Sequence, residues 1–198
     1  MSHWTADITL KGNHVALVPL TKEHRSSLIK AASDGKLWEL WFTSVPSEDT
    51  IDAFIQHALK EKLNGTQHAF AVIHLASGDI IGSTRFMNMS EEHRRLEIGH
   101  TWYAASHQRS AVNTECKLLL LQHAFEVLKC ICVQFLTHAQ NERSRAAIAR
   151  LGAKQDGILR NHRILKDGSY RDTVVFSITE DEWPEVKSAL TSRLEKDT

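Results

Sequence analysis

Residues 108–121 (QRSAVNTECKLLLL) constrain this chain more than any other stretch. Ahead of them, residues 96–103 (LEIGHTWY) are rich in β-branched and aromatic side chains and are predicted to form a strand. Past Ser106 the period changes. Val112, Cys116, Leu119, Leu120 and Phe125 fall near helical spacing, so one face of the next helix is apolar. A strand that feeds a buried helix through a short polar turn leaves the first N–H groups of that helix without partners. Those donors and the positive end of the helix dipole suit a phosphate, and Arg109 adds charge at the same point. Most strand–turn–helix units bind nothing, so a packing unit with a polar turn is the competing reading.

A second unit follows about thirty residues later. Residues 131–137 (ICVQFLT) are predicted as another buried strand, with Asn141-Glu142-Arg143-Ser144 directly behind it. A helix over 145–151 comes next, with Asn141 or Ser144 as its cap and Gly152 at its left-handed end. Strand, polar turn, long helix, strand and then N-x-x-S-x-x-x-x-x-x-L-G resembles the acetyl-coenzyme A core of the GNAT N-acetyltransferase superfamily. The nearest resemblance is to the branch of the ribosomal-protein N-terminal acetyltransferases. It extends over nearly the whole chain, through LVPLTKEH (17–24), EIGHTWY (97–103), Gly157 and DGSYRDTVVFSI (167–178). It implies a mixed α/β fold over residues 1–198, with a mostly antiparallel sheet of about seven strands and helices on both faces. It implies no metal.

The same resemblance assigns residues. The family turn, Gln/Arg-x-x-Gly-x-Gly/Ala, falls on Gln108, Arg109, Ser110, Ala111, Val112 and Asn113, which would hold the pyrophosphate. Both glycine places are filled, by Ala111 and Asn113, and a Cβ at Ala111 narrows the approach of a phosphate to the backbone. Strand backbone from His100 to Trp102 would meet the pantetheine amides, with the Trp102 ring packed near the arm. Asn141 would bond the pantetheine and Ser144 would lie near the sulfur. Ile148 stands where many relatives carry a tyrosine acid, and it has no proton to give.

Composition sets bounds. With 198 residues the chain suits one domain with a sizeable core. Lys plus Arg and Asp plus Glu number 24 each, so no global field favours nucleic acid or an acidic membrane. The start, MSHWTADITLKG, lacks a basic-then-apolar signal and no apolar run approaches a membrane span, so a cytoplasmic protein is expected. Cys130, Cys132 and His138 lack the second ligand pair of a zinc site.

In chain order, residues 8–10 and 14–20 are predicted as a hairpin around Lys11-Gly12-Asn13. Helices are expected from Thr21 to about Ser33 and from Ser47–Thr50 to about Asn64. Between them, Trp38, Trp41 and Phe42 either pack in the core or wall the acceptor groove. Two strands flank Ser77-Gly78, two more flank Lys166-Asp167-Gly168, and a helix from about Thr179 closes the chain.

The reaction implied is attack of an amine on the thioester carbonyl, needing a base for the ammonium proton and donors for the oxyanion. Glu97 is the first candidate base, because Leu96 and Ile98 beside it point to a half-buried site. The alternative is a solvent-facing glutamate paired with Arg94 or Arg95. His100 is expected on the same face, as a proton relay or a structural histidine, with Trp102 continuing that face. Arg145 either approaches the phosphates or is exposed. Asp172 either attracts a cationic amine or pairs with Arg160 or Arg171. The leading expectation is transfer of acetyl from acetyl-coenzyme A to a primary amine, a protein N-terminus or a small molecule, with a homodimer possible by resemblance. A coenzyme-binding module with little turnover and a domain without a coenzyme site are the rivals.

Overall fold

The computed structural model describes residues 4, 6–40, 45–165 and 167–196. Eight strands form one sheet: β1 (Leu10–Lys11), β2 (Val15–Pro19), β3 (His68–His74), β4 (Ile80–Ser90), β5 (Arg95–Tyr103), β6 (Cys132–His138), β7 (Lys154–Ile164) and β8 (Tyr170–Thr179). Their spatial order is β1-β2-β3-β4-β5-β6-β8-β7. Every neighbouring pair is antiparallel except β5 and β6. The count is one above the expected seven, and β1 is only two residues long.

Five helices cover the sheet: α1 (Arg25–Ser33), α2 (Ile51–Leu63), α3 (Ala111–Gln122), α4 (Glu142–Ala149) and α5 (Trp183–Lys196). One core cluster joins α1 and α2 to the sheet through Leu28, Ile51, Ile55, Ala71 and Trp102. The other lies on the opposite face, where Val112, Cys116 and Leu120 of α3 and Val186 and Leu190 of α5 meet Leu96, Ile98 and Val133. Helices therefore pack on both faces, as expected from alternating strand and helix patterns. Among the described residues no helix is long and apolar enough to cross a membrane.

Local chemistry sets the element ends. Thr21 opens a short 3₁₀ turn, its N–H donating to His24 Nδ1 at 3.2 Å, so α1 starts one turn later than the sequence pattern implies. The Ser47 N–H donates to Thr50 Oγ1 at 2.8 Å ahead of α2. Asn141 rather than Ser144 caps α4, its Oδ1 accepting the Ser144 N–H at 3.0 Å. Gly152 ends that unit with φ 98°, a conformation open to glycine.

One long-range contact ties α3 to the start of the chain. Glu115 is buried, and its carboxylate accepts the backbone N–H of Asn13 at 2.8 Å and those of His14 and Val15 at 2.7 and 2.8 Å. These are the donors of the β1–β2 turn, which would otherwise lie against the helix without partners. Gly12 makes room: a Cβ there would fall 2.4 Å from Glu115 Cδ, and three hydrogen bonds keep that carboxylate from moving aside. Charge-assisted bonds of this kind contribute about 1.5–3 kcal/mol each. Glu115→Ala is expected to lower unfolding stability by about 3 kcal/mol or more, measured by urea denaturation. A loss below about 1 kcal/mol would mean that water replaces the carboxylate without penalty.

Candidate active-site cleft

β5 and β6 run parallel through only three register pairs, Arg95 with Cys132, Leu96 with Val133 and Glu97 with Gln134. Beyond them β5 stays bonded to β4 as far as Tyr103, and β6 stays bonded to β8 as far as His138. The two strands therefore part like the arms of a V, each held on its outer side. Facing backbone groups of the two arms are left without strand partners. A cleft of about 1360 Å³ occupies the opening. Its walls come from β5, β6, the turn and first turns of α3, the inner side of α4, the β7–β8 end and the segment after α1.

At one end lies the turn into α3. Gln108, Arg109, Ser110 and Asn113 line the cleft. Arg109 is in the left-handed region at φ 60°, and Ser110 caps the helix through a 3.4 Å bond from the Val112 N–H. Val112 points its side chain into the core, and neither it nor Ala111 lines the cleft. What these two residues could offer an anion is their backbone amides, the groups that the sequence reading put forward. Gln108 spans the turn, donating from Nε2 to the Tyr103 carbonyl at 2.8 Å and accepting from Arg143 at 2.6 Å. Arg143 was not picked out in the sequence; Arg145 was, but its guanidinium donates to the Ala139 carbonyl at 3.2 Å and does not line the cleft. Asn141, Ser144 and Ile148 line the opposite wall.

Glu97 stands where the arms separate. It is 5% exposed and its Oε2 accepts from Asn88 Nδ2 at 2.8 Å. Burial pushes its carboxyl pKa above the ordinary value; the Asn88 bond and then Arg163 and Arg171 oppose that shift. Among the described residues it forms no ion pair with Arg94 or Arg95, so the half-buried expectation holds over the solvent-facing one.

His100 reaches this neighbourhood for a reason other than simple alternation. Three positions separate it from Glu97, which a regular strand would place on opposite faces. A β-bulge intervenes: β4 advances from Ser83 to Arg85 while β5 runs from Trp102 to Gly99, and His100 takes φ 48° within it. Arg163 and Arg171 act on both Glu97 and His100, which places the two on one side. Burial, followed by Arg85 and Arg163, holds the His100 pKa at about 4, so the ring is neutral at pH 7. Trp102, past the bulge, faces the α1–α2 core and the cleft together.

Lys117 is the residue that sequence reasoning missed most clearly. It sits in the second turn of α3, two residues after Glu115, and is 6% exposed. Its Nζ donates to Thr101 Oγ1 at 2.6 Å, and Thr101 bonds Thr84 at 2.8 Å. Burial holds its pKa at about 8. The one available signal was a lysine next to Cys116 within an apolar helical stripe.

The residues read from the sequence as walling an acceptor groove are placed only in part. Trp38 lines the cleft, whereas Trp41 and Phe42 lie outside the described residues, as does Lys166 of the hairpin turn. Asp172 does not line the cleft. It accepts the Asn161 N–H at 2.8 Å on the other side of the hairpin, since its neighbour Arg171 takes the inward position. The charges presented there are Arg163 and Arg171, with Asp167 of the hairpin turn.

A family profile described as the acetyltransferase (GNAT) domain matches residues 14–154. The chain belongs to the GNAT acetyltransferase family. It is 29% identical over 109 residues to YdaF of Bacillus subtilis (strain 168), named provisionally as a ribosomal N-acetyltransferase. That match covers 55% of this chain and 58% of YdaF, so the chain spans a little over half the length of that relative. A crystal structure of a provisionally named acetyltransferase from T. thermophilus is 35% identical with a TM-score of 0.82, covering 94% of this chain and 96% of that one. RimJ of Mycobacterium smegmatis, solved with CoA-disulfide, has the same fold at a TM-score of 0.80 and 20% identity, over 96% of each chain. Of these relatives, YdaF bears a name from the ribosomal-protein branch that the motifs resemble.

The raised Glu97 pKa has a consequence for stability. Above that pKa the ionised carboxylate is less favourable in the fold than in the unfolded chain, and below the unfolded value of 4.5 both states are protonated and the penalty vanishes. Glu97→Gln, which keeps the Asn88 bond and removes the charge, is expected to raise the melting midpoint at pH 8. The gain should shrink toward pH 4. A variant that gains nothing at pH 8 would show that the carboxylate is not penalised by burial.

Proposed function

We propose that the protein transfers an acetyl group from acetyl-coenzyme A to a primary amine by direct attack. The observation that supports this best is the V between β5 and β6 opening onto the first amides of α3. Unpaired strand backbone in a cleft wants hydrogen-bonding partners, and an extended arm bearing amides satisfies them from both sides. The α3 amides, Arg109 and Arg143 then supply donors and positive charge for a diphosphate. The residues present fit such a ligand, with Ala111 and Asn113 in the glycine places as the tightest points.

In the reaction the amine nitrogen bonds to the carbonyl carbon, the carbon–sulfur bond breaks, and the sulfur leaves as a thiol after taking up a proton. Glu97 is proposed as the base that removes the ammonium proton, because its raised pKa brings a carboxylate closer to that task. His100, with a pKa of about 4, is too weak a base to take the first place. Backbone N–H groups of β5 beyond Glu97 are proposed to polarise the carbonyl oxygen. Ser144 on α4 is proposed to face the sulfur, with Ile148 one turn on keeping that wall apolar. Trp38 and Trp102 are proposed to bound the acceptor and the arm. Positioning accounts for much of the rate in such a site, so the missing tyrosine acid need not be limiting.

The Ile148 wall also favours a second reading, a coenzyme-binding module with little turnover. Thiol release in the presence of an amine panel separates the two. Under the first reading, Glu97→Gln lowers kcat/KM by about 10²–10⁴ while coenzyme binding is kept. Arg109→Glu weakens coenzyme binding by about tenfold or more, seen as reduced thermal stabilisation by coenzyme A. Binding without thiol release from any amine, unaltered in Glu97→Gln, would favour the module.

A further inference from the structure

Two charges at the cleft are unused by the transfer just described. Arg163 of β7 and Arg171 of β8 are direct partners across the hairpin, and both line the cleft. Like charges opposite one another on antiparallel strands repel. Among the described residues neither takes part in an ion pair. The Arg171 Nε is buried and has no hydrogen-bond partner.

The juxtaposition is built into the backbone. Between Leu159 and Arg163, β7 advances four residues while β8 advances two, from Thr173 to Arg171. Asn161 lies inside that bulge at φ 50°, and its N–H is fixed by the Asp172 carboxylate at 2.8 Å. Asp172 thus holds the bulge and leaves the inward positions to the arginines. The acidic groups nearby are already engaged: Glu97 with Asn88, and Asp167 with the Ser169 N–H and hydroxyl at 3.0 and 2.7 Å. His100 is neutral, and burial followed by Arg171 lowers the His138 pKa as well. Neither the Glu97 nor the Asp167 carboxylate is bonded to the two guanidinium groups. The pair also acts on Glu97 and His100, whereas Arg109 and Arg143 serve the α3 turn. It therefore lies beside the proposed base and apart from the diphosphate donors.

We propose that Arg163 and Arg171 form an anion subsite for the acceptor, so that the preferred amine carries a carboxylate or phosphate a few bonds from its nitrogen. Two guanidinium forks match the planar oxygens of such groups, and a like-charged pair is relieved by an anion between them. The inference rests on the acetyl-transfer reading for its rate readout, so it is tested by binding as well. Matched acceptors separate the sources of the anion: a free amino acid against its amide, phosphoethanolamine against ethanolamine, and a Ser-Asp against a Ser-Asn tripeptide amide. The charged member of at least one pair is expected to have a kcat/KM about tenfold higher. The same member is expected to raise the melting midpoint of the coenzyme A complex, whether or not turnover follows. In Arg163→Gln and Arg171→Gln both preferences fall to within about twofold while coenzyme affinity holds. No stabilisation by any charged acceptor overturns the subsite. A parallel loss of coenzyme affinity also overturns it, by assigning the pair to the coenzyme. Stabilisation without thiol release sinks the enzyme reading and leaves the subsite standing.

Discussion

The molecule depends on a parallel strand pair that is begun and not completed. β5 and β6 share three register positions and then separate, each staying bonded along its outer edge. A continuous pairing would bury the facing N–H and C=O groups in a ladder and leave a sheet without a site. Separation exposes them inside the fold, where only water or a ligand can meet their needs. The bulge at His100 belongs to the same device. It turns β5 after Gly99 and places Glu97, His100 and Trp102 around one opening, although their spacing does not follow the pleat.

Helix α3 keeps the opening in shape. At its first turn it offers amides and Arg109 to the cleft. In its second turn Glu115 clasps the β1–β2 turn on one side, while Lys117 reaches Thr101 on the diverging arm of β5 on the other. Two ionisable side chains buried in one helix are costly unless each is hydrogen-bonded, and here each has a partner. The helix is thereby fixed to the β1–β2 edge of the sheet and to its middle. Its N-terminus points at the cleft as a consequence of these contacts, in addition to its apolar stripe.

The fold was legible because its signals are local and mutually consistent. The hairpin turns, the Asn141 cap, Gly152 and the switch from strand to helical period each specify one element without reference to the others. The polar turn into α3 and the burial of Glu97 were legible for the same reason, since one follows from helix-end chemistry and the other from flanking apolar residues. What stayed hidden depends on register. No pattern in HTWY marks a bulge at His100, and no pattern in RNHRILKDGSYRD shows that two extra residues on β7 bring Arg163 opposite Arg171 and turn Asp172 away. Lys117 was passed over because a lysine in an apolar stripe reads as a side chain reaching for solvent, whereas Thr101 and the Phe135 ring, 6.0 Å from Nζ, hold it inside.

A crystal structure with coenzyme A bound would test the central claim most directly, through the partners of the β5 backbone beyond Glu97. The account predicts the pantetheine arm lying between β5 and β6, its amides bonded to residues 98–102, with the diphosphate on the amides of residues 111–113 beside Arg109. Coenzyme bound outside the V, or β5 and β6 paired past Glu97 in solution, would contradict it.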